Sequence, residues 1–110
     1  MDSKVVIIVS TGDKMKAAAG LRYAYRAQTE RWIDDVKVIF FGPSEWLLVG
    51  DQDIASVAKD IVAVEKPVAC KAFADRDGIT GKLEEMGLTV DFVGPIISEY
   101  IKRGYVPLVF

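Results

Sequence analysis

Cys70 is the single cysteine of a 110-residue sequence that contains no histidine. It ends a short apolar run, and the small and helix-forming residues that follow predict a turn into a helix. Lys71 lies beside it and Arg76 follows six positions later. A nearby positive charge, or the free N–H groups at a helix start, favours thiolate over thiol. The spacing therefore indicates a reactive thiol at the end of a strand, although Asp75 and Asp77 oppose the effect.

A structural role is the alternative interpretation of Cys70. Free cysteine is among the most buried residue types and commonly packs as a small hydrophobe. One cysteine forms no internal disulfide, and without histidine the chain has no His-based general base, triad or zinc site. Any covalent chemistry within one chain is therefore expected to use the thiol, without a metal or a cofactor.

Thr11 and Gly12 are second candidates, for binding an anion. They belong to a Ser-Thr-Gly-Asp turn that follows an apolar run, so the turn's N–H groups would open a helix. The turn lacks the Gly-x-x-x-x-Gly-Lys spacing of a phosphate loop, and a plain helix cap is the simpler interpretation. Since the carboxyl ends of parallel strands meet at one edge, we expect Thr11 and Gly12 to lie on the same edge as Cys70.

Strand-like and helix-like patterns alternate along the whole chain, which predicts a three-layer α/β/α sandwich with a five-stranded, mostly parallel sheet. The first apolar run is continuous and rich in β-branched residues, as in a central strand buried on both faces. Pro107 places the last strand at an edge. Strands are predicted at residues 4–10, 36–41, 67–70, 88–93 and 105–110, and helices at 14–32, after 51, after 70, at 82–86 and at 95–104.

Short polar residues in front of the helical patterns are the expected N-caps, because their side chains accept hydrogen bonds from free N–H groups. Asp13 and Asp51 are predicted to cap the first helix and the helix after residue 51. Ser44 is predicted to cap a short apolar turn. Asp77 or Thr80 is predicted to cap the helix at 82–86.

Composition restricts the class of protein. A length of 110 residues with 51% hydrophobic content fits one domain, residues 1–110, with a substantial core. The net charge of −2 comes from 14 basic and 16 acidic residues spread along the chain, so nucleic acid is not expected as a partner. The apolar run at the beginning is too short for a membrane helix, which predicts a cytoplasmic protein without membrane insertion.

The segment around Cys70 resembles the cysteine segment of the DsrE/DsrF-like family of small α/β sulfur-relay proteins. In that family a strand-end cysteine is followed by small residues, a basic residue and a glycine, and here Cys70, Ala72, Arg76 and Gly78 match. The resemblance continues through the segments 87–90 and 94–97 to residues 104–105, and is looser in the first half. It implies the family's five-stranded fold and assembly into homotrimers or homohexamers.

Two functions remain open at this point. The resemblance implies a sulfur carrier or sulfurtransferase, in which Cys70 accepts sulfur from a protein donor as a persulfide and relays it to an acceptor thiol, with Lys71 and Arg76 stabilising the anion. The alternative is a non-catalytic module that binds a small anion or a partner and uses Cys70 for packing. In either case aromatic side chains in excess of what one helix face can bury predict a homo-oligomer; they are Tyr23, Tyr25, Trp32 and Trp46.

Overall fold

The computed structural model describes residues 2–110, which form one five-stranded sheet and six helices. The elements in chain order are β1 (Lys4–Val9), α1 (Lys14–Thr29), β2 (Asp35–Phe40), α2 (Ser44–Gly50), α3 (Gln52–Val64), β3 (Val68–Cys70), α4 (Lys71–Asp77), α5 (Thr80–Glu85), β4 (Thr89–Asp91), α6 (Val93–Lys102) and β5 (Val106–Val109). The strand order is β4-β3-β2-β1-β5, and every neighbouring pair is parallel. The predicted α/β fold with a five-stranded sheet is confirmed, and here the sheet is all-parallel.

The position of β1 differs from the sequence prediction. β2 occupies the centre of the sheet, and β1 lies between β2 and the edge strand β5. A long β-branched run identifies a strand with two covered faces, and β1 and β2 both meet that condition. The β-branched run therefore correctly predicted that β1 lies inside the sheet, but it could not show whether β1 or β2 is the central strand. The edge position predicted for the strand with Pro107 is confirmed.

Alternate residues of β1 enter two separate hydrophobic clusters because successive side chains point to opposite faces of a sheet. Val5, Ile7 and Val9 join the larger cluster, which the helices α1 to α5 line. Val6 and Ile8 join a smaller cluster on the opposite face, which α6 covers. The first face is therefore more completely covered than the second.

Helix α1 packs closely on the sheet through small residues. Asp13 accepts a hydrogen bond from the N–H of Met15 at 3.3 Å, which confirms the predicted cap. A Cβ on Gly20 would lie 2.6 Å from Cγ of Phe110, so the absence of a side chain allows the close approach. The helix ends at Thr29 instead of residue 32, since Arg31 has a φ of 56° in the left-handed region.

The caps of three other helices give mixed outcomes. Asp51 accepts hydrogen bonds from two N–H groups at the start of α3, as predicted. The prediction for Ser44 was wrong, because its hydroxyl donates to the carbonyl of Val9 in β1 and makes no cap. The prediction for α5 was also wrong: that helix begins at Thr80 without a side-chain cap, and the Thr80 hydroxyl donates to Asp75.

The face beneath α6 and the neighbouring edge strand leave apolar side chains in contact with solvent. All four residues of β5 are exposed, and Val109 retains 64% of its accessible surface. Phe92 and Ile101, at the two ends of α6, are about half exposed. By contrast, Tyr23 and Tyr25 are partly buried against the larger cluster. No helix within residues 2–110 is long and apolar enough to cross a membrane.

Candidate functional site

Cys70 is the last residue of β3 and the residue that precedes the first turn of α4. It pairs in register with Asp91 at the end of β4, so both lie at the carboxyl edge of the sheet. The side chain of Cys70 is 7% exposed and packs in the smaller cluster with Val6, Ile8 and Ile39. The predicted position of the thiol at a strand end is thus correct, and the thiol is covered in this arrangement.

The two cations predicted to assist the thiol are each paired with a carboxylate. Nζ of Lys71 lies 2.8 Å from Asp75, and this hydrogen bond raises the pKa of Lys71. Nε of Arg76 lies 3.0 Å from Asp77. Because each cation is paired with a carboxylate, the net charge of the two pairs near Cys70 is small, and since the pairs lie at the surface each contributes little to stability. Close to the thiol, the acidic neighbours therefore offset the basic ones.

Phe73 in α4 packs against the cluster that holds Cys70, and Arg76 of the same helix lies against its ring. The partly buried ring packs against that cluster. The guanidinium of Arg76 lies 4.8 Å from the centroid of the Phe73 ring, within the range of a cation–π contact. Asp77, which holds Arg76, also accepts a hydrogen bond of 2.8 Å from Nε1 of Trp46 in α2. A continuous series of contacts thus connects α2 with a side chain that packs against the cluster around the thiol.

Thr11 and Gly12 lie on the expected edge but have other partners. The N–H of Thr11 donates to the carbonyl of Phe110 at 3.2 Å, and its hydroxyl accepts from the N–H of Asp13 at 3.0 Å. A Cβ on Gly12 would lie 3.3 Å from Cβ of Pro43, so this turn packs on the β2–α2 connection. Since β2 separates β1 from β3, the turn is roughly 10 Å from Cys70. The structure does not bring Thr11 or Gly12 into contact with the thiol.

Glu45 is the functional candidate that the sequence analysis missed. It is fully buried, at 0% exposure, in the first turn of α2 at the same carboxyl edge. One carboxyl oxygen, Oε2, accepts a hydrogen bond of 3.0 Å from the N–H of Gly42. The other, Oε1, has no hydrogen-bond partner among the described residues. Burial, together with a smaller effect of the Asp77 charge, raises the pKa of Glu45 to about 7, against the lowering effect of the Gly42 N–H.

A sequence signal for this arrangement exists in the segment Gly42-Pro43-Ser44-Glu45. A glutamate three residues after an N-cap can bond back to the cap's N–H, as in a capping box, and proline is favoured at the first helical position. The signal predicts the hydrogen bond to Gly42. It does not predict the burial, which depends on how α2 packs against the rest of the molecule.

The described residues hold no cluster of three or more potential metal ligands. A groove of about 490 Å³ lies between α3 and the α5–β4 connection, lined partly by Ala55, Ala58 and Met86. Cys70 and Glu45 do not line it. The chemistry available at the carboxyl edge is therefore that of a covered thiol, a buried carboxyl group and two exposed ion pairs.

Comparisons with known proteins identify the fold. No family model matches the sequence, and no curated protein matches it. A conserved protein of unknown function from Bacteroides thetaiotaomicron, BT1422, superposes with a TM-score of 0.88 and 22% sequence identity, covering 98% of this chain and 95% of that chain. The YchN protein from E. coli superposes with a TM-score of 0.79 and 16% identity, covering 98% of this chain and 99% of that chain. This chain therefore shares its fold with both proteins along almost its whole length.

Proposed function

We propose that this chain is a sulfur carrier of the DsrE-like type, with Cys70 as the residue that holds the sulfur. The observation that supports the proposal best is the position of Cys70 at the carboxyl end of β3, directly before α4. Loops at the carboxyl edge of an open parallel sheet are where ligands and reactive groups gather. The resemblance of residues 70–78 to the family's cysteine segment supports the same position.

The proposed reaction consists of two thiol exchanges and needs neither metal nor oxidant. The Cys70 thiolate attacks the outer sulfur of a donor persulfide, R–S–SH. The donor's S–S bond breaks, the donor leaves as R–S⁻, and Cys70 becomes Cys70–S–SH. An acceptor thiolate then attacks the outer sulfur of Cys70–S–SH, takes it as a new persulfide and releases the Cys70 thiolate. The donor and acceptor are proposed to be proteins of the reducing cytoplasm, which keeps a lone thiol reduced.

Arg76 is proposed to balance the charge at the site. It is 69% exposed as a side chain, and it neutralises Asp77 while lying on the ring of Phe73, which packs against the cluster around Cys70. Removal of Arg76 leaves the Asp77 carboxylate without its cation, so an anionic persulfide nearby becomes less stable. Lys71 has the equivalent relation to Asp75.

The test is uptake of one sulfur, followed by mass spectrometry after incubation with a persulfide donor. The wild type is expected to gain about 32 Da, the mass of one sulfur, and Cys70→Ser to gain nothing. Arg76→Ala is expected to slow uptake without unfolding the protein, because an exposed ion pair contributes little to stability. Arg103→Ala is the matched control, since Arg103 is also exposed and paired, with Glu99 at the far end of α6. Absence of the adduct on the wild type with several donors contradicts the proposal.

The second candidate function is an assembly module in which Cys70 is structural. The observation that favours it is the burial of the thiol among Val6, Ile8 and Ile39. On this hypothesis Cys70→Ser lowers the melting temperature, because a hydroxyl replaces a thiol in an apolar site, and no adduct forms on the wild type. The same mass spectra and a melting curve therefore separate the two functions.

A homo-oligomer, trimer or hexamer, is proposed under either function. The support is the apolar surface that one copy leaves exposed along β5 and α6, together with the unpaired edge of β5. Exposed apolar surface of this kind is typical of protein–protein contacts, and an open edge strand invites pairing or cover. Trp32 and Trp46, at 57% and 49% exposure, add to the surface available for such contacts.

A further inference from the structure

Glu45 is placed where its charge would be poorly tolerated. The carboxyl group is fully buried, has one hydrogen bond from the Gly42 N–H, and leaves Oε1 without a partner. Among the described residues, the charged group whose field reaches Glu45 is Asp77 in α4, which is negative. The helices α3 and α5 also contact α2, but the charge that acts on this carboxyl group comes from Asp77 and not from them. A buried carboxylate without a cation is destabilised, whereas the neutral acid is tolerated.

The residue that follows Glu45 connects this carboxyl group to the cluster that contains Cys70. Trp46 donates from Nε1 to Oδ2 of Asp77 at 2.8 Å, and Asp77 accepts from Arg76 on its other oxygen at 3.0 Å. Arg76 in turn lies over Phe73, which packs on the cluster around the thiol. Movement of the first turn of α2 toward water would withdraw Trp46 from Asp77 and release one end of this series of contacts.

We propose that Glu45, Trp46 and Asp77 form a latch that controls access to Cys70: neutral Glu45 keeps Trp46 on Asp77 and Phe73 over the thiol, and loss of its proton opens the latch. This inference concerns regulation of the site in the proposed function, but access to a thiol is measurable whether or not the thiol carries sulfur. The latch is closed in the structure, which agrees with a Cys70 that is 7% exposed.

The expected size of the effect follows from the change in proton affinity on opening. The pKa of Glu45 is about 7 in the closed arrangement and returns to its ordinary 4.5 when the group reaches water. Opening then releases a proton between pH 4.5 and pH 7, so the open fraction rises with pH in that range and levels off above it. From pH 5.5 to pH 7.5 the open fraction is expected to increase roughly twentyfold.

The test is the rate at which native Cys70 reacts with 4,4′-dithiodipyridine, a disulfide reagent that still reacts with thiols at mildly acidic pH. The wild type is compared with Glu45→Gln, which keeps the shape and the acceptor for Gly42 but cannot ionise. Dividing the two rates at each pH removes the titration of the thiol itself. The ratio of wild type to Glu45→Gln is expected to rise about twentyfold from pH 5.5 to pH 7.5. A ratio that does not change with pH overturns the latch.

Trp46→Phe provides a second, independent variant. It keeps an aromatic ring but removes the donor to Asp77, so Cys70 is expected to react faster than in the wild type at pH 5.5, where the latch is otherwise closed. An unchanged rate contradicts the proposed connection between α2 and α4. Low concentrations of urea distinguish local opening from unfolding, since a local opening exposes little surface and responds weakly. A rate that increases with urea as steeply as global unfolding does overturns the proposal.

Failure of the latch and failure of the proposed function give different results. If the reaction rate of Cys70 depends on the ionisation of Glu45 but the protein never gains about 32 Da, sulfur transfer is contradicted and the latch is supported. A thiol that takes up sulfur at a rate independent of Glu45 supports transfer and contradicts the latch.

Discussion

Replacement of Glu45 by glutamine tests whether this buried carboxyl group makes the stability of the whole fold depend on pH. The pKa of Glu45 is raised from 4.5 to about 7 in the folded protein, a difference of 2.5 units. At about 1.4 kcal/mol for each pKa unit, the folded state loses about 3.5 kcal/mol relative to the unfolded state when Glu45 ionises. Because the folded pKa is the higher one, the stabilisation is complete below pH 4.5 and disappears as the pH rises to 7. Above pH 7 the free-energy difference is constant.

The assay is urea unfolding followed by circular dichroism at pH 5, 6, 7 and 8. Between pH 5 and pH 8 the wild type is expected to lose about 2–3 kcal/mol relative to Glu45→Gln, so that the variant is the more stable protein at pH 8. Glu85→Gln, a change of an exposed carboxyl group, gives the baseline for surface effects. A constant difference between wild type and Glu45→Gln over this range, or a change of opposite sign, would refute the reasoning from burial.

Two further substitutions test the packing and the assembly. Gly20→Ala is expected to destabilise the fold by about 1–2 kcal/mol in thermal or urea unfolding, because its Cβ would meet the Phe110 ring at 2.6 Å and the overpacking outweighs the gain in helix propensity. Gly81→Ala, at an open position in α5, is the control and is expected to stabilise by up to about 1 kcal/mol; equal effects at the two positions would contradict the close packing of α1. Val109→Lys, on the exposed edge strand, is expected to reduce the oligomer to monomers by light scattering, whereas the control Val64→Lys leaves it intact. A wild type that is monomeric at high micromolar concentration would refute the assembly.

The strands and the main helices were predictable because their signals are local. After Lys4, β1 is a continuous apolar run, and β2 is apolar except at Asp35 and Lys37, as is typical of strands inside a sheet. Asp13 and Asp51 directly precede helices that need acceptors for free N–H groups. The position of Cys70 at the end of β3 followed from the same kind of reasoning. The order of the strands did not, since it depends on contacts between segments far apart in the chain.

The environment of the site was less predictable, because it depends on which polar groups find partners across elements. In the sequence Ser44 precedes a helix and resembles a cap. In the folded chain its hydroxyl instead donates a hydrogen bond to the carbonyl of Val9. Thr11 looks free to bind an anion, but its N–H and hydroxyl are both engaged. Lys71 and Arg76 look like neighbours of a thiolate, and the structure pairs each with an aspartate. The sequence placed Asp75 and Asp77 near these cations, but it did not show that each cation would be held by one of them.

The closed arrangement explains why access and reactivity at Cys70 must change together under the proposed function. With Cys70 only 7% exposed and Arg76 bound to Asp77, an incoming persulfide meets neither an accessible sulfur nor a free cation. Asp77 uses both of its oxygens, one for Arg76 and one for Trp46, so release of Trp46 removes the contact that ties the Asp77–Arg76 pair to α2. Arg76 remains on Asp77 and continues to neutralise it when the sulfur is uncovered. A thiol that is inert while the latch is closed would be protected from oxidation between transfers.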